Sequence, residues 1–222
     1  IDADVDNIAS LLKISGLLPA ELNIQPLLDD AKAQLQDEAD YNKEAEFLSA
    51  FGGLLAGDDR FVVPEVLPEL TRKTVLAMTY VSGHPIESIA SLPQEERDQV
   101  MTALVELMFR ELFELRMVQT DPNFANYQYN PTTGKIILLD FGATRRFKAS
   151  FVNGYRSLVK AAIAGNSKRL VAAAERVGYA MGDEDSEYRE LVLELFLMAL
   201  EPLQLDEPYD FAASDMSGRM SA

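Results

Sequence analysis

The sequence has 222 residues, a hydrophobic fraction of 48% and a formal net charge of −16. A chain of this length holds one large domain or two small ones, and its apolar content is ample for a core. It contains no cysteine, which excludes a disulfide framework and a thiolate metal site, and its single histidine, His84, argues against a His-based zinc site. The negative charge argues against nucleic-acid binding, because such proteins neutralise phosphates with Lys and Arg.

The first part of the sequence predicts helices followed by short strands. Residues 2–14 predict a short helix, and a second helix of several turns runs from about Pro26 to Gly52-Gly53, which fits the preference for Pro at the first turn and Gly past the end. The stretches RFVVPEVL and KTVLAMTYV predict strands, and Pro64 places the first at an edge or ends it. Residues 82–85 predict a turn.

The second part predicts a buried helix, a hairpin and further helices. Residues 94–117 are hydrophobic nearly all round, which is typical of a buried helix. The stretch NYQYNPTTGKIILLDF predicts two short strands joined by residues 130–134. Helices are then expected at roughly 148–164, 166–178 and 184–200. This order indicates an α+β protein with most of its mass in helices.

Three polar side chains around the hairpin suggest a metal-dependent site. Asn126 follows Asp121 by five residues, and Asp140 opens Asp-Phe-Gly at the end of the apolar run 136–139. Magnesium prefers oxygen ligands and needs only one or two carboxylates beside phosphate oxygens. The same plan, D-x-x-x-x-N followed by a hairpin and D-F-G, is that of protein kinases. The alternative is that Asp121 and Asn126 merely cap turns.

The stretch QTDPNFANYQYNPTTGKIILLDFGATRRF resembles the UbiB family of atypical kinase-like proteins, in particular the branch that serves coenzyme Q (ubiquinone) biosynthesis. Three further stretches carry the resemblance. DEADYNKEAEF resembles the family's Glu-x-Asp signature on its αC-like helix, VLAMTYVSGHPI its last N-lobe strand and hinge, and DEPYDF a stretch near the end of the helical lobe. The resemblance spans nearly the whole sequence.

The resemblance implies a protein-kinase-like fold. Residues 1–81 would form a partial N-lobe with the αC-like helix, two short strands and the hinge, and residues 82–222 a mostly helical C-lobe. ATP and Mg²⁺ are the implied cofactors. The implied site residues are Asp121, Glu38 and Asp40 for catalysis, Asn126 and Asp140 for the metal, and Met78, Thr79, Tyr80 and Val81 for the nucleotide at the adenine pocket and hinge. Glu38 and Asp40 lie two residues apart, on roughly opposite faces of a helix, so they do not easily share one metal ion.

The sequence also departs from ordinary kinases. Gln119-Thr120 stands where they have His-Arg, and no Ala-Pro-Glu triplet follows Asp-Phe-Gly. We expect the sequence to be a fragment in which the lysine that would pair with Glu38, the phosphate loop and the family's Lys-x-Gly-Gln extension are missing. Weak nucleotide binding and little turnover would follow from their absence.

The first functional hypothesis is an atypical kinase-like ATPase or phosphotransferase that supports ubiquinone biosynthesis at a membrane surface. The resemblance implies a peripheral location on the cytoplasmic side of a bacterial inner membrane, or on the matrix side of the mitochondrial one. Implied partners are isoprenoid quinone precursors, anionic membrane lipids and other ubiquinone-biosynthesis proteins. Residues 135–169 carry eight basic side chains and one acid, which suits anionic head groups, although a solvated helix face is the alternative.

Three other functions fit parts of the pattern. The same fold could act as a non-catalytic regulator that binds nucleotide or lipid. A small-molecule kinase of the aminoglycoside or choline type shares D-x-x-x-x-N before a later Asp. A purely structural helical module would use neither motif.

Overall fold

The computed structural model describes residues 40–121, 123–179, 186–211 and 213–221, together with residues 25, 28, 29 and 32. The predicted helix at 2–14 therefore lies outside the described residues. The chain divides into two compact units, one formed by Ile1–Glu111 and Met117–Arg145, the other by Leu112–Arg116 and Arg146–Ala222. The predicted division at residue 81 differs from these units.

Helix α1, Tyr41–Leu55, is the first long element of unit 1. Asp40 caps it, because its carboxylate accepts a hydrogen bond from the backbone N–H of Asn42 at 3.2 Å. The helix continues through Gly52-Gly53, so the predicted stop at these glycines is wrong. Apolar side chains at helical spacing favour continuation, since burial of one large apolar side chain contributes about 2–3 kcal/mol while a glycine costs about 1 kcal/mol. The buried positions are Ala45, Leu48, Phe51 and Leu55.

A four-stranded sheet forms the centre of unit 1. In spatial order its strands are β1 (Phe61–Val62), β5 (Lys135–Leu138), β4 (Tyr127–Asn130) and β2 (His84–Pro85). The predicted hairpin is confirmed, with Tyr127 opposite Leu138 and Asn130 opposite Lys135. Strand β1 pairs in parallel with β5, which explains why the hairpin groups with the first part of the chain.

Two predictions before the hairpin require correction. Residues 73–81 form no continuous strand; the chain there makes only the isolated bridges Val66–Met78 and Arg72–Val75. His84–Pro85, predicted as part of a turn, is strand β2 and pairs with β4. Gly83 permits this approach, because a Cβ there would lie 2.6 Å from the Cδ1 of Ile137. The predicted edge position of the strand before Pro64 is confirmed, since β1 ends the sheet.

Helix α2, Gln94–Arg110, continues as a π-helical turn at Glu111–Leu115. It is less buried than its composition predicts: only Val100, Ala103 and Leu107 are buried, and several large apolar side chains on it are exposed. Arg116 then adopts a left-handed conformation with φ of 53°, which redirects the chain into the next strand. A second, two-stranded sheet pairs β3 (Met117–Gln119) with β6 (Thr144–Arg146).

Unit 2 is helical, as predicted. Its core is rich in alanine, which lets two helices approach closely, and Gly154 lies against Val177 at this contact. The core residues are Leu158, Ala161, Ala162, Leu170, Ala173 and Ala174. The helices are α3 (Ala149–Ile163), α4 (Ser167–Val177), α5 (Ser186–Ala199) and the short α6 (Met216–Ser221).

Candidate functional site

The loop between β3 and β4 brings two of the predicted site residues together. Asn123 caps the short 3₁₀ segment Phe124–Asn126 through a 3.0 Å hydrogen bond from the N–H of Ala125. Asn126 is buried, and its Nδ2 donates to the Oδ2 of Asp121 at 3.1 Å and to the carbonyl of Asp121 at 3.3 Å. Both amide protons of Asn126 thus face Asp121, which leaves its amide oxygen as the atom that can ligate a cation.

The hairpin delivers Asp140 to the same end of the sheet. The N–H of Leu139 donates to the carbonyl of Asn126 at 3.0 Å, so the strand pairing extends beyond the hairpin up to the residue before Asp140. The Oδ1 of Asp140 accepts the N–H of Gly142 at 2.9 Å. Asn126 and Asp140 therefore lie at the ends of two adjacent strands, and their role as metal ligands stays a prediction.

Glu44, which the sequence analysis did not single out, is the acidic residue of α1 that approaches Asp140. Its Oε1 accepts a hydrogen bond from the N–H of Phe141 at 3.4 Å. Burial raises the pKa of Glu44, and the negative charge of Asp140 raises it further. Glu44 lies in the first turn of α1, four residues after the N-cap Asp40, and this nearness to the Glu-x-Asp signature could have indicated it.

Gln119 and Thr120, which directly precede the loop that carries Asp121 and Asn126, contact the Asp-Phe-Gly segment and Ala143 after it. The Nε2 of Gln119 donates to the carbonyl of Asp140, and its Oε1 accepts the hydroxyl of Tyr127 at 3.0 Å. Thr120 donates through its hydroxyl to the carbonyl of Ala143 at 2.6 Å. The two residues that replace the kinase His-Arg pair therefore hold the two motif segments against each other.

The remaining predicted residues are Glu38, Asp40 and residues 78–81. Glu38 lies outside the described residues, and Asp40 is the N-cap of α1. The hydroxyl oxygen of Thr79 accepts a hydrogen bond from the backbone N–H of Glu65 at 2.9 Å. Met78 forms an isolated β-bridge with Val66. Tyr80 is 89% exposed and Val81 is partly buried. No described contact joins these hinge residues to Asp121, Asn126 or Asp140, so their part in nucleotide binding stays a prediction.

The donor set fits magnesium. Within the described ranges, no group of three or more His, Cys, Asp or Glu side chains is placed to hold a metal ion. Two carboxylates, Glu44 and Asp140, lie close enough for the negative charge of Asp140 to help raise the pKa of Glu44. A divalent cation would offset that repulsion, and Mg²⁺ takes one or two carboxylates and completes its shell with water and phosphate oxygens.

The long helix, the Asp–Asn loop, the hairpin and the terminal Asp-Phe-Gly define a kinase-like domain. Comparison with family models gives the particular family: the model described as the ABC1 atypical kinase-like domain matches residues 1–174. The chain belongs to this family. The expected kinase-like fold and the UbiB resemblance are both confirmed.

Known relatives align along nearly the whole chain. It is 37% identical to the mitochondrial atypical kinase COQ8B of Rattus norvegicus, covering 99% of this chain and 42% of that protein. It is 34% identical to the mitochondrial atypical kinase COQ8 of Saccharomyces cerevisiae, covering 99% of this chain and 44% of that protein. The chain thus spans less than half the length of these relatives.

A solved structure shares the fold. The Rv3197–erythromycin complex from Mycobacterium tuberculosis is similar with a TM-score of 0.72 and 24% identity, covering 92% of this chain and 51% of that chain. As for membranes, none of the helices in the part of the chain that the structure describes is both long and apolar enough to cross one.

Proposed function

We propose that this chain binds Mg²⁺-ATP and carries the phosphoryl-transfer or ATP-hydrolysis site of an atypical kinase that supports coenzyme Q biosynthesis. One observation supports this most: the Asp121–Asn126 hydrogen bond lies at the start of a hairpin whose other strand leads to Asp140. Phosphoryl transfer depends mainly on positioning and charge neutralisation, and these three side chains supply both.

Each side chain has a distinct role in the proposal. Asp121 is exposed, and its carboxylate, oriented by Asn126, accepts the proton of an attacking water or hydroxyl group. Asn126 and Asp140 hold Mg²⁺, which neutralises charge on the phosphates when bound. Glu44 stabilises the Asp-Phe-Gly turn through the Phe141 N–H and offers a further carboxylate beside Asp140. Met78 and residues 79–81 receive the adenine, and Glu38 and Asp40 contribute from the Glu-x-Asp signature.

The proposed setting is a membrane surface beside other ubiquinone-biosynthesis proteins. It rests on the family and on the mitochondrial relatives. Arg145, Arg146 and Lys148 are exposed in the basic stretch after Asp140, which suits anionic lipid head groups. Isoprenoid quinone precursors are the proposed lipid-like ligands.

Thermal-shift titration with Mg²⁺-ADP and Mg²⁺-ATP tests the proposal. At ten times Kd the stabilisation is about 1.4 kcal/mol, which raises Tm by about 3–5 °C. We expect this shift to require Mg²⁺, to disappear in Asp140→Asn and to survive in Asp98→Asn, a matched control on the exposed side of α2. A shift that persists in Asp140→Asn would show that the metal ligand is assigned wrongly. Release of phosphate from ATP, measured separately, distinguishes an enzyme from a nucleotide-binding regulator.

A further inference from the structure

Glu111 is a buried carboxyl group that directly follows α2 in the chain. It is 4% exposed, and it is the only acidic side chain classed as buried in the part of the chain that the structure describes. It opens the π-helical turn Glu111–Leu115, and such turns occur frequently at functional sites. Burial of a carboxyl group carries a free-energy cost, so its presence here requires a compensating contact or role.

The contact that Glu111 makes is with the backbone of Gln119. Its Oε2 accepts the Gln119 N–H at 3.0 Å. Apart from this hydrogen bond its environment is desolvated, and burial raises its pKa to about 7. Tyr127 is near it as well: burial raises the pKa of Tyr127 to about 12, and the charges of Glu111 and Asp121 add to this effect. Glu111 therefore lies near Gln119 and Tyr127, which stand on either side of the Asp121–Asn126 loop in the chain.

Gln119 extends this contact to both motif segments. Its backbone is held by Glu111, while its side chain donates to the carbonyl of Asp140 and accepts the hydroxyl of Tyr127. Tyr127 directly follows Asn126 in the chain. A shift of the Gln119 backbone would thus be transmitted to Asp140 on one side and to the Asn126 strand on the other.

We propose that Glu111 is a positioning residue that fixes Gln119, and through Gln119 sets the placement of Asp140 and Asn126. In this proposal Glu111 acts through its hydrogen bond to Gln119 and not on the nucleotide or the metal directly. The consequence for catalysis rests on the proposed function, whereas the mechanical link from Glu111 to Asp140 does not. A residue with only a local packing role would hold Gln119 without affecting the Asp-Phe-Gly turn.

Hydrogen–deuterium exchange tests the link without any nucleotide. The variants are Glu111→Leu, which removes the acceptor, and Glu111→Gln, which retains one. We expect Glu111→Leu to raise the exchange rate of residues 139–144 about three- to tenfold, the factor that corresponds to one hydrogen bond of ordinary net strength, and Glu111→Gln to stay near wild type. Thr71→Val is the matched control, because Thr71 is another buried polar residue of the same unit whose hydroxyl bonds to Leu67 and Ala77.

Gln119→Ala keeps the proposal testable if Glu111→Leu does not fold. It removes the side-chain bridge to Asp140 and Tyr127, and we expect the same increase at residues 139–144. Wild-type exchange at 139–144 in both Glu111→Leu and Gln119→Ala, or an equal increase in Thr71→Val, would overturn the proposal.

Mg²⁺-ADP binding then tests the consequence. We expect the Mg²⁺-ADP thermal shift to fall in Glu111→Leu and to be retained in Glu111→Gln. An unchanged shift in Glu111→Leu would overturn the coupling to the site. If the wild-type chain shows no shift, the proposed function fails while the exchange data still decide whether Glu111 positions Asp140.

Discussion

Glu44 and Asp140 are two carboxylates from distant parts of the chain that meet at the Asp-Phe-Gly turn. The Oε1 of Glu44 accepts a hydrogen bond from the N–H of Phe141 at 3.4 Å, and the charge of Asp140 helps burial to raise the pKa of Glu44. The protein therefore keeps a repulsive pair in its folded state. Such a pair is typical of a site arranged for a ligand of the opposite charge, because the cost is recovered when that ligand binds.

Replacing Glu44 by Gln should separate stability from binding. The substitution removes the repulsion with Asp140, so we expect a gain of up to about 1 kcal/mol in the free energy of unfolding without ligand, the size of one partly exposed charge interaction. The Mg²⁺-ADP thermal shift should decrease at the same time. Urea unfolding and thermal shift on the same samples provide both readings, and Glu46→Gln, on an exposed position of α1, is the control. A loss of stability together with unchanged Mg²⁺-ADP binding would contradict this account.

Glu111 should make stability depend on pH in a defined direction. Its pKa is about 7 in the folded protein and about 4.5 in the unfolded chain, so the folded state holds the proton more tightly. The stability that Glu111 contributes is therefore fully present below pH 4.5 and is lost as the pH rises through 7. Between pH 5 and pH 8 we expect Glu111 to lower the free energy of unfolding by about 2–3 kcal/mol.

The measurement is urea unfolding of wild type and Glu111→Gln at pH 5 and pH 8. Subtracting the variant removes the contributions of all other groups. Relative to wild type, Glu111→Gln should have a higher free energy of unfolding at pH 8 than at pH 5. A difference that is the same at both values of pH would mean that the pKa of Glu111 is not raised.

Thr144 offers a site for stabilisation. It is 6% exposed, and its hydroxyl is the one buried side-chain polar atom without a hydrogen-bond partner among the described residues. Valine has nearly the same shape and lacks the hydroxyl, so we expect Thr144→Val to raise the free energy of unfolding by about 1 kcal/mol. Thr144→Ala removes the methyl group as well and should lower it. Stability of Thr144→Val below wild type would indicate that the hydroxyl has a partner.

Two glycine substitutions should have opposite effects. A Cβ on Gly154 would lie 2.5 Å from the Cγ1 of Val177, a short and stiff side chain, so we expect Gly154→Ala to destabilise unit 2 by about 1–3 kcal/mol. Gly53 is inside α1 with nothing within 4 Å of the added atom, so Gly53→Ala should stabilise by about 0.5–1 kcal/mol. Thermal melts of both variants compare these effects directly. An unchanged melting temperature in Gly154→Ala would mean that α3 and α4 can move apart slightly without a loss of stability.

Local patterns predicted the features whose partners are near in the sequence. Spacing and turn residues, which the sequence shows directly, determine the hairpin, the Asp121–Asn126 pair and the helices of unit 2. Glu44 and Phe141 are 97 residues apart, so no periodicity could pair them. The π-helical turn and the left-handed Arg116 were missed because residues 94–117 have uniformly helical composition. The exposure of apolar side chains on α2 was missed because the hydrophobicity of a sequence does not show whether another element packs against it.

The parallel pairing of β1 with β5 has a consequence for how the protein folds. Phe61 and Ile136 are partners across an intervening loop of about 75 residues, a separation that makes such pairing slow to form. The hairpin can close by itself early, but its β5 edge is covered only after this large loop closes. The two ends that carry Asn126 and Asp140 should therefore acquire native rigidity late, and a chain emerging from the ribosome cannot complete them until the hairpin has been made.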